Sequence, residues 1–379
     1  MGIPSGEPLD ARRGHGPHRR DDPREAPDGR SLRHPGPRAR LRALPALCLF
    51  LFLLLPLTAA AETLRFATWD VDLERAGPGL LLRDIRAGKD PQILAVRRMI
   101  EALRADVLFL TGVDYDADLL AARALAGDLY PHLLALRPNA GRPTGIDLDG
   151  DGRLGGPGDA QGWGRFGGQG GMVLLSRLPL GPPRDFSDLL WADLPEANLP
   201  PMPPEARAVQ RLASVGAWEV PLPRTGGPAL KLLLWSATPP VFDGPEDRNG
   251  RRAGDEALFW ARLLEGRLPF PAPEGPVLLM GKANIDPLAG DGPRAAIAAL
   301  LAHPALQDPA PRGPDGSRAT ADFRADDGPG LLRTDYILPA RGLPVTASGV
   351  LWPPPGDPLA AVAAQASRHR PVWVELDLP

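Results

Sequence analysis

The feature that most restricts this chain is a series of short apolar runs, spread from residue 64 to residue 376 and separated by loops punctuated with glycine and proline. Residues 64–69 alternate apolar and polar side chains and read as a strand, 93–103 carry helical spacing, and 107–110 read as a buried strand. Further apolar strands are expected at 172–175, 231–235, 277–280, 336–338 and 372–376, with helices near 254–264 and 293–301. No internal repeat is visible. Many strands with few helices predict two packed sheets flanked by helices in one α/β domain.

The 43 glycines and 48 prolines approach the level at which disorder becomes the expectation, yet the periodic Leu- and Ala-rich segments interrupt them throughout. Long loops on a packed core follow. Residues 1–40 are the exception: they are rich in Pro, Gly, Arg and Asp and hold almost no large apolar residue, so they are expected to be a disordered tail. Residues 41–61 read as an export signal. Arg38, Arg40 and Arg42 precede an uncharged run over 43–57, and Ala59, Ala60 and Ala61 stand before Glu62. Cleavage after Ala61 would leave 62–379 as a periplasmic or secreted domain without a stable membrane span. The apolar run falls short of the roughly 20 residues that a spanning helix needs, and an uncleaved anchor is the alternative. Cys48, the single cysteine, lies inside that run, so the mature domain has neither a disulfide nor a catalytic thiol. From Glu62 onward 33 basic residues face 40 acidic ones, a balance that argues against non-specific nucleic-acid binding.

Six segments carry a more specific signal. In order they are Ala67-Thr68-Trp69-Asp70-Val71, the strand 105–110, Gly171 through Arg177, Gly281-Lys282-Ala283-Asn284-Ile285-Asp286, Arg333-Thr334-Asp335-Tyr336-Ile337, and Ser367-Arg368-His369. Together they resemble the endonuclease/exonuclease/phosphatase superfamily, closest to its exported bacterial branch, which also carries a stretch like 238–252. The resemblance implies a four-layer α/β sandwich with two central mixed sheets and catalytic residues at the strand ends. It also implies hydrolysis of a phosphate ester by water. A divalent metal, usually Mg²⁺, offsets phosphoryl charge, an Asp/Asn pair positions the water, and histidines stabilise the crowded phosphate.

Against that pattern, this chain keeps His369, Asn284 and Asp335 and has Asp70 where asparagine is usual. Four positions depart from it. Gly112 stands where a metal-holding glutamate is expected, and glycine offers no ligand. Ala237 replaces a histidine. Lys282 replaces the water-orienting carboxylate, and Arg368 replaces the acid beside His369, which leaves that histidine without its expected orienting partner. Relative to the pattern, the cleft gains about four positive charges, and two unit charges about 4 Å apart interact by roughly 4 kcal/mol at an effective dielectric of 20. The expectation is that Lys282 or Arg368 pairs with Asp70 or Asp335, and that the family's Mg²⁺ site is lost. Plainer readings stand beside these: Asn284 and Asp335 as turn caps, His369 as a structural histidine, and Arg248, Arg251 and Arg252 as part of a salt-bridge-laced loop.

A second motif lies in the glycine-rich loop. Asp147, Asp149 and Asp151, followed by Gly152, place carboxylates at alternate positions as in D-x-D-x-D-G calcium loops; the closing position holds Gly158 with Asp159 next to it, and no flanking helices are evident, so this is not a full EF-hand. Ca²⁺ is the expected occupant; a solvated acidic turn is the alternative.

Three expectations follow. The first is a catalytically impaired homologue of metal-dependent phosphoesterases that keeps the fold and binds a phosphate-bearing or other anionic ligand. The second is an active phosphodiesterase or phosphomonoesterase whose rebuilt site uses Lys282, Arg368 and His369. The third is an interaction module that presents the Pro-rich loops of 193–207.

Overall fold

The computed structural model describes residues 62–325 and 328–378. The expected tail and export signal lie outside the described residues. In chain order the strands are β1 (Glu62–Leu73), β2 (Val107–Val113), β3 (His132–Leu134), β4 (Gly171–Ser176), β5 (Arg184–Asp185), β6 (Gly216–Leu222) and β7 (Leu230–Ser236). They continue as β8 (Val277–Lys282), β9 (Ala321–Phe323), β10 (Gly330–Leu332), β11 (Asp335–Pro339), β12 (Val345–Val350) and β13 (Val372–Leu378).

These strands build a six-stranded sheet in the order β12-β13-β1-β2-β4-β3, a five-stranded sheet in the order β11-β8-β7-β6-β5, and the small β10-β9 ribbon. Both large sheets are mixed: β1 runs parallel to β2 and β7 parallel to β8, while their other pairings are antiparallel. Central strands read as continuous apolar runs because both of their faces are covered. Along β2, Val107 and Phe109 face the core between the sheets, whereas Leu108 and Leu110 pack under the helices. Leu232 and Leu234 of β7 likewise enter the inter-sheet core, and Leu233 and Trp235 the opposite one.

The helices Leu80–Ala87, Pro91–Leu103, Leu120–Ala126 and Pro358–Ala366 cover the six-stranded sheet. Arg248–Leu264 and Arg294–Leu301 cover the five-stranded one. The result is the expected four-layer α/β sandwich. Among the described residues, no helix is long and apolar enough to cross a membrane.

Two local expectations need correction. The helix expected from residue 254 begins at Arg248, so Arg248, Arg251 and Arg252 lie in its first turns and not in a loop. Nor, among the described residues, is the cluster laced with salt bridges. Arg252 donates to the carbonyls of Leu212, Gln161 and Arg211, Arg248 to Leu148 O and Gln210 Oε1, and Arg251 to Glu246 O and Asn198 Oδ1. The Pro-rich stretch of 193–207 runs into a short helix, Pro204–Val209, and is not loop throughout.

Candidate functional site

The ends of the central strands converge on an open cleft of about 550 Å³, lined by Asp72, Glu74, Lys282, Asn284, Phe323, Arg368 and His369 among others. Strand register aligns the residues that the five-stranded sheet contributes. Asp335 at the start of β11 sits opposite Lys282 at the end of β8, and Ser236 of β7 pairs with Lys282 from the other side. Ser367 closes the floor: its hydroxyl donates to Asp70 O at 2.7 Å and to Asp72 Oδ2 at 3.1 Å, while Trp69 Nε1 donates to His369 O at 3.0 Å.

Lys282 forms an ion pair with Asp70 at the bottom of the cleft, as one branch of the sequence reading expected. Burial is the largest single influence on each group and works to raise the Asp70 carboxyl and to lower the Lys282 ammonium, but their mutual attraction and hydrogen bond, together with the neighbouring charges, outweigh it. His369 adds to the pull on Asp70 and Glu74 to the pull on Lys282. Asp70 is held well below the usual carboxylate range and Lys282 above the usual lysine range. Both stay charged.

Gly112 explains how Asp70 fits. Its φ is +70°, and it occupies the irregular step where β2 slips in register against β1 and β4. A Cβ at this position would lie 2.5 Å from Asp70 Oδ1 and 3.2 Å from Asp72 N. The space for a side chain at residue 112 therefore belongs to the Asp70 carboxylate. With a fixed ammonium on Asp70 and no ligand from Gly112, these residues do not fit a divalent cation.

His369 is not orphaned by Arg368. Its Nδ1 lies 2.8 Å from Asp335 Oδ2, which also accepts the hydroxyls of Thr320 at 2.8 Å and Thr334 at 2.9 Å. Asp335 is thus the orienting carboxylate, and the expectation that His369 lacks one is corrected. Phe323 packs edge-on against the imidazole, with ring centroids 5.4 Å apart. Arg368 pairs with neither Asp70 nor Asp335 but with Asp72, at 3.3 Å. Asn284 takes a left-handed backbone conformation and donates its Nδ2 to Ala237 O at 2.6 Å, so it locks the turn after β8 while lining the cleft.

Asp72 and Glu74 are site residues that the motif reading missed. The signal was present in the acidic side chains at 70, 72 and 74. They change the charge balance: each of the three cations, Lys282, Arg368 and His369, has its own carboxylate, and Glu74 remains over. Glu74 faces the open cleft, yet the walls around it displace enough water to raise its carboxyl. Asp70, Asp72 and Asp114 push the same way against Lys282, and the group reaches about 7.

The glycine-rich loop brings Asp147, Asp149 and Asp151 together, each offering an oxygen within 4.8 Å of the others. Asp159 is not part of that trio. It is buried, and it accepts the backbone N–H groups of Leu148, Gly155 and Gly156 at 2.7, 2.8 and 3.1 Å.

A four-layer sandwich with an acid–histidine cleft at the strand ends defines a class of phosphoesterase-type proteins. The sequence profile of the Endonuclease/Exonuclease/phosphatase family matches residues 67–369, and the chain belongs to that family. Among solved structures it is similar to an endonuclease/exonuclease/phosphatase from Beutenbergia cavernae, with 18% identity over 84% of this chain and 72% of that one and a TM-score of 0.50. It is also similar to a 3'-5' exonuclease from Neisseria meningitidis, with 16% identity over 83% and 99% of the two chains and a TM-score of 0.49. A third similar structure is sphingomyelinase C from Streptomyces griseocarneus, with 18% identity, 83% and 99% coverage and a TM-score of 0.46. The likeness to the first of these shows the fold and no more. No curated protein sequence matches the chain.

The His369–Asp335 pair makes stability depend on pH. Burial alone would lower the imidazole, but Asp335, through its charge and its hydrogen bond, and then Asp70 raise it above the ordinary histidine value of about 6.5. A raised folded-state value means that the pair's contribution is fully present below about 6.5 and is lost as pH rises through the folded value. The stability advantage of the parent over His369→Gln should therefore be largest near pH 6 and shrink toward about pH 9. Urea unfolding of both proteins across that range checks it, and a constant difference would contradict it.

Proposed function

We propose that this protein is an exported family member whose metal-dependent hydrolysis has been replaced by fixed ion pairs, and that its cleft binds a phosphate-bearing or similar anion without cleaving it. The observation that carries the reading is the Lys282 ammonium on Asp70, beside a Gly112 that offers no carboxylate. A buried ammonium already neutralises the aspartate that would otherwise favour a cation. Arg368 supports the anion-binding part. Its side chain is 63% exposed, and its pairing with Asp72 is of the surface kind, worth about 0–1 kcal/mol, so an incoming oxyanion can recruit it at little cost.

The proposal expects no turnover of bis(p-nitrophenyl) phosphate or p-nitrophenyl phosphate with Mg²⁺, Mn²⁺ or Ca²⁺, together with measurable binding of sulfate by calorimetry. Sulfate keeps its charge over the neutral range, so any pH dependence belongs to the protein. Affinity should fall as pH rises through about 7, where Glu74 gains its negative charge, and again as His369 loses its proton above its ordinary range; Glu74→Gln should remove the first of these contributions and leave the second. Metal-stimulated turnover, or no sulfate binding at any pH, would sink the reading.

The intact His369–Asp335 pair favours a second reading, a hydrolase in which Lys282, Arg368 and His369 take over the metal's electrostatic role. Metal-independent turnover that disappears in folded His369→Gln would establish it.

A further inference from the structure

The segment after β7 contains an unusual residue. Phe242 has φ +70°, a conformation that costs a residue with a Cβ, and its side chain is 91% exposed. Neither property is explained by the fold, since burial would have to compensate the strain and there is almost none. The backbone on either side is pinned. Asn249 at the start of the long helix donates its Nδ2 to Val241 O at 2.8 Å, and its N–H reaches Asp243 Oδ2. The strap is therefore held in place with its aromatic ring outside the core.

Where the ring sits is informative. Phe242 lines the main cleft together with Lys282, Arg368 and His369. It also lines the adjoining cavity of about 630 Å³, which shares Lys282 and Arg368 and adds Trp163, itself 61% exposed. An exposed, strained aromatic lining the same cleft as two cations provides an apolar face within one cavity of an anion's position. The geometry points to the following assignment: the cleft takes an organic phosphate that carries an aromatic group, with the phosphate at Lys282 and Arg368 and the ring against Phe242. Stacking needs only a π-face, so the site selects for a flat apolar substituent and not for a hydrogen-bonding pattern. This inference rests on the anion-binding reading above and adds the substrate class.

The test compares inorganic phosphate with phenyl phosphate, titrated calorimetrically into the full chain and into Phe242→Ala and Phe242→Gly. Phenyl phosphate should bind about tenfold more tightly than inorganic phosphate, in the range expected of one aromatic contact. Both variants should abolish that advantage and leave the inorganic phosphate affinity unchanged. Phe242→Gly should also raise the unfolding midpoint, because glycine adopts the left-handed conformation without cost. A ring that packs for structural reasons would give the opposite shift. If inorganic phosphate binds but phenyl phosphate binds no better, or its advantage survives in Phe242→Ala, the aromatic assignment is overturned and the anion reading stands. If neither compound binds, both fall.

Discussion

Replacing Lys282 with methionine should lower the stability of the fold by about 3–5 kcal/mol, the usual cost of removing one partner from a buried ion pair. Asp70 is 1% exposed, its Oδ1 accepts the backbone N–H of Asp72 at 3.1 Å, and Lys282 supplies the cation on its other oxygen. Without that ammonium, the carboxylate is left in the floor of the cleft with too few donors. It must then either remain charged at high cost or take up a proton. The double variant Asp70→Asn/Lys282→Met removes both charges and should recover a large part of the loss, since replacing a whole buried pair is far cheaper than breaking it. Urea unfolding of the parent, the two single variants and the double variant gives the coupling directly. If Lys282→Met unfolds at the parent's midpoint, the pair does not hold the floor together, and the account of the cleft fails.

The second large effect is expected at Gly112. A simple view of the family pattern suggests that Gly112→Glu would restore a metal ligand, but the structure predicts damage. A residue with a Cβ pays about 1–2 kcal/mol for the left-handed conformation alone. Its Cβ would also lie 2.5 Å from Asp70 Oδ1, and the new carboxylate would add like charge beside Asp70, Asp72 and Glu74. Gly112→Ala should therefore cost at least about 1–2 kcal/mol, and Gly112→Glu more, with no gain in Mg²⁺ affinity while Lys282 remains. Unfolding curves together with a Mg²⁺ titration of each variant decide the matter. A stable Gly112→Glu protein that binds Mg²⁺ would show that the strand end relaxes and that Asp70 is not confined as described.

How much of this was legible beforehand differed between the core and the site. The strands at 107–110, 172–175, 231–235 and 277–280 were readable because burial on both faces leaves an uninterrupted apolar run. The short strands β3, β5, β9 and β10, and the longer β6 and β12, are not legible in this way. β6 contains Glu219 and Pro221 among its apolar residues, and β12 has Thr346 and Ser348, so neither shows a clean run. The helix Pro358–Ala366 is built largely of alanine, which gives little periodic contrast. The apolar pattern of Arg248–Leu264 shows only from about residue 254, because its first turns are Arg, Asn and Gly, held by bonds to distant carbonyls and not by an apolar stripe.

At the site, the chain alone determined which chemical groups are available: a lysine and an arginine where acids are usual, a glycine without a ligand, and a retained histidine, asparagine and aspartate. Those are properties of side chains and need no coordinates. Only the tertiary structure decided which group faces which. His369 meets Asp335 across 34 residues, Lys282 meets Asp70 across the inter-sheet core, and Arg368 turns to Asp72, because strand register and a bulge at Gly112 set distances that no local spacing encodes. Electrostatic energy depends on those separations, so identity alone left the balance of the cleft open and the fold closed it.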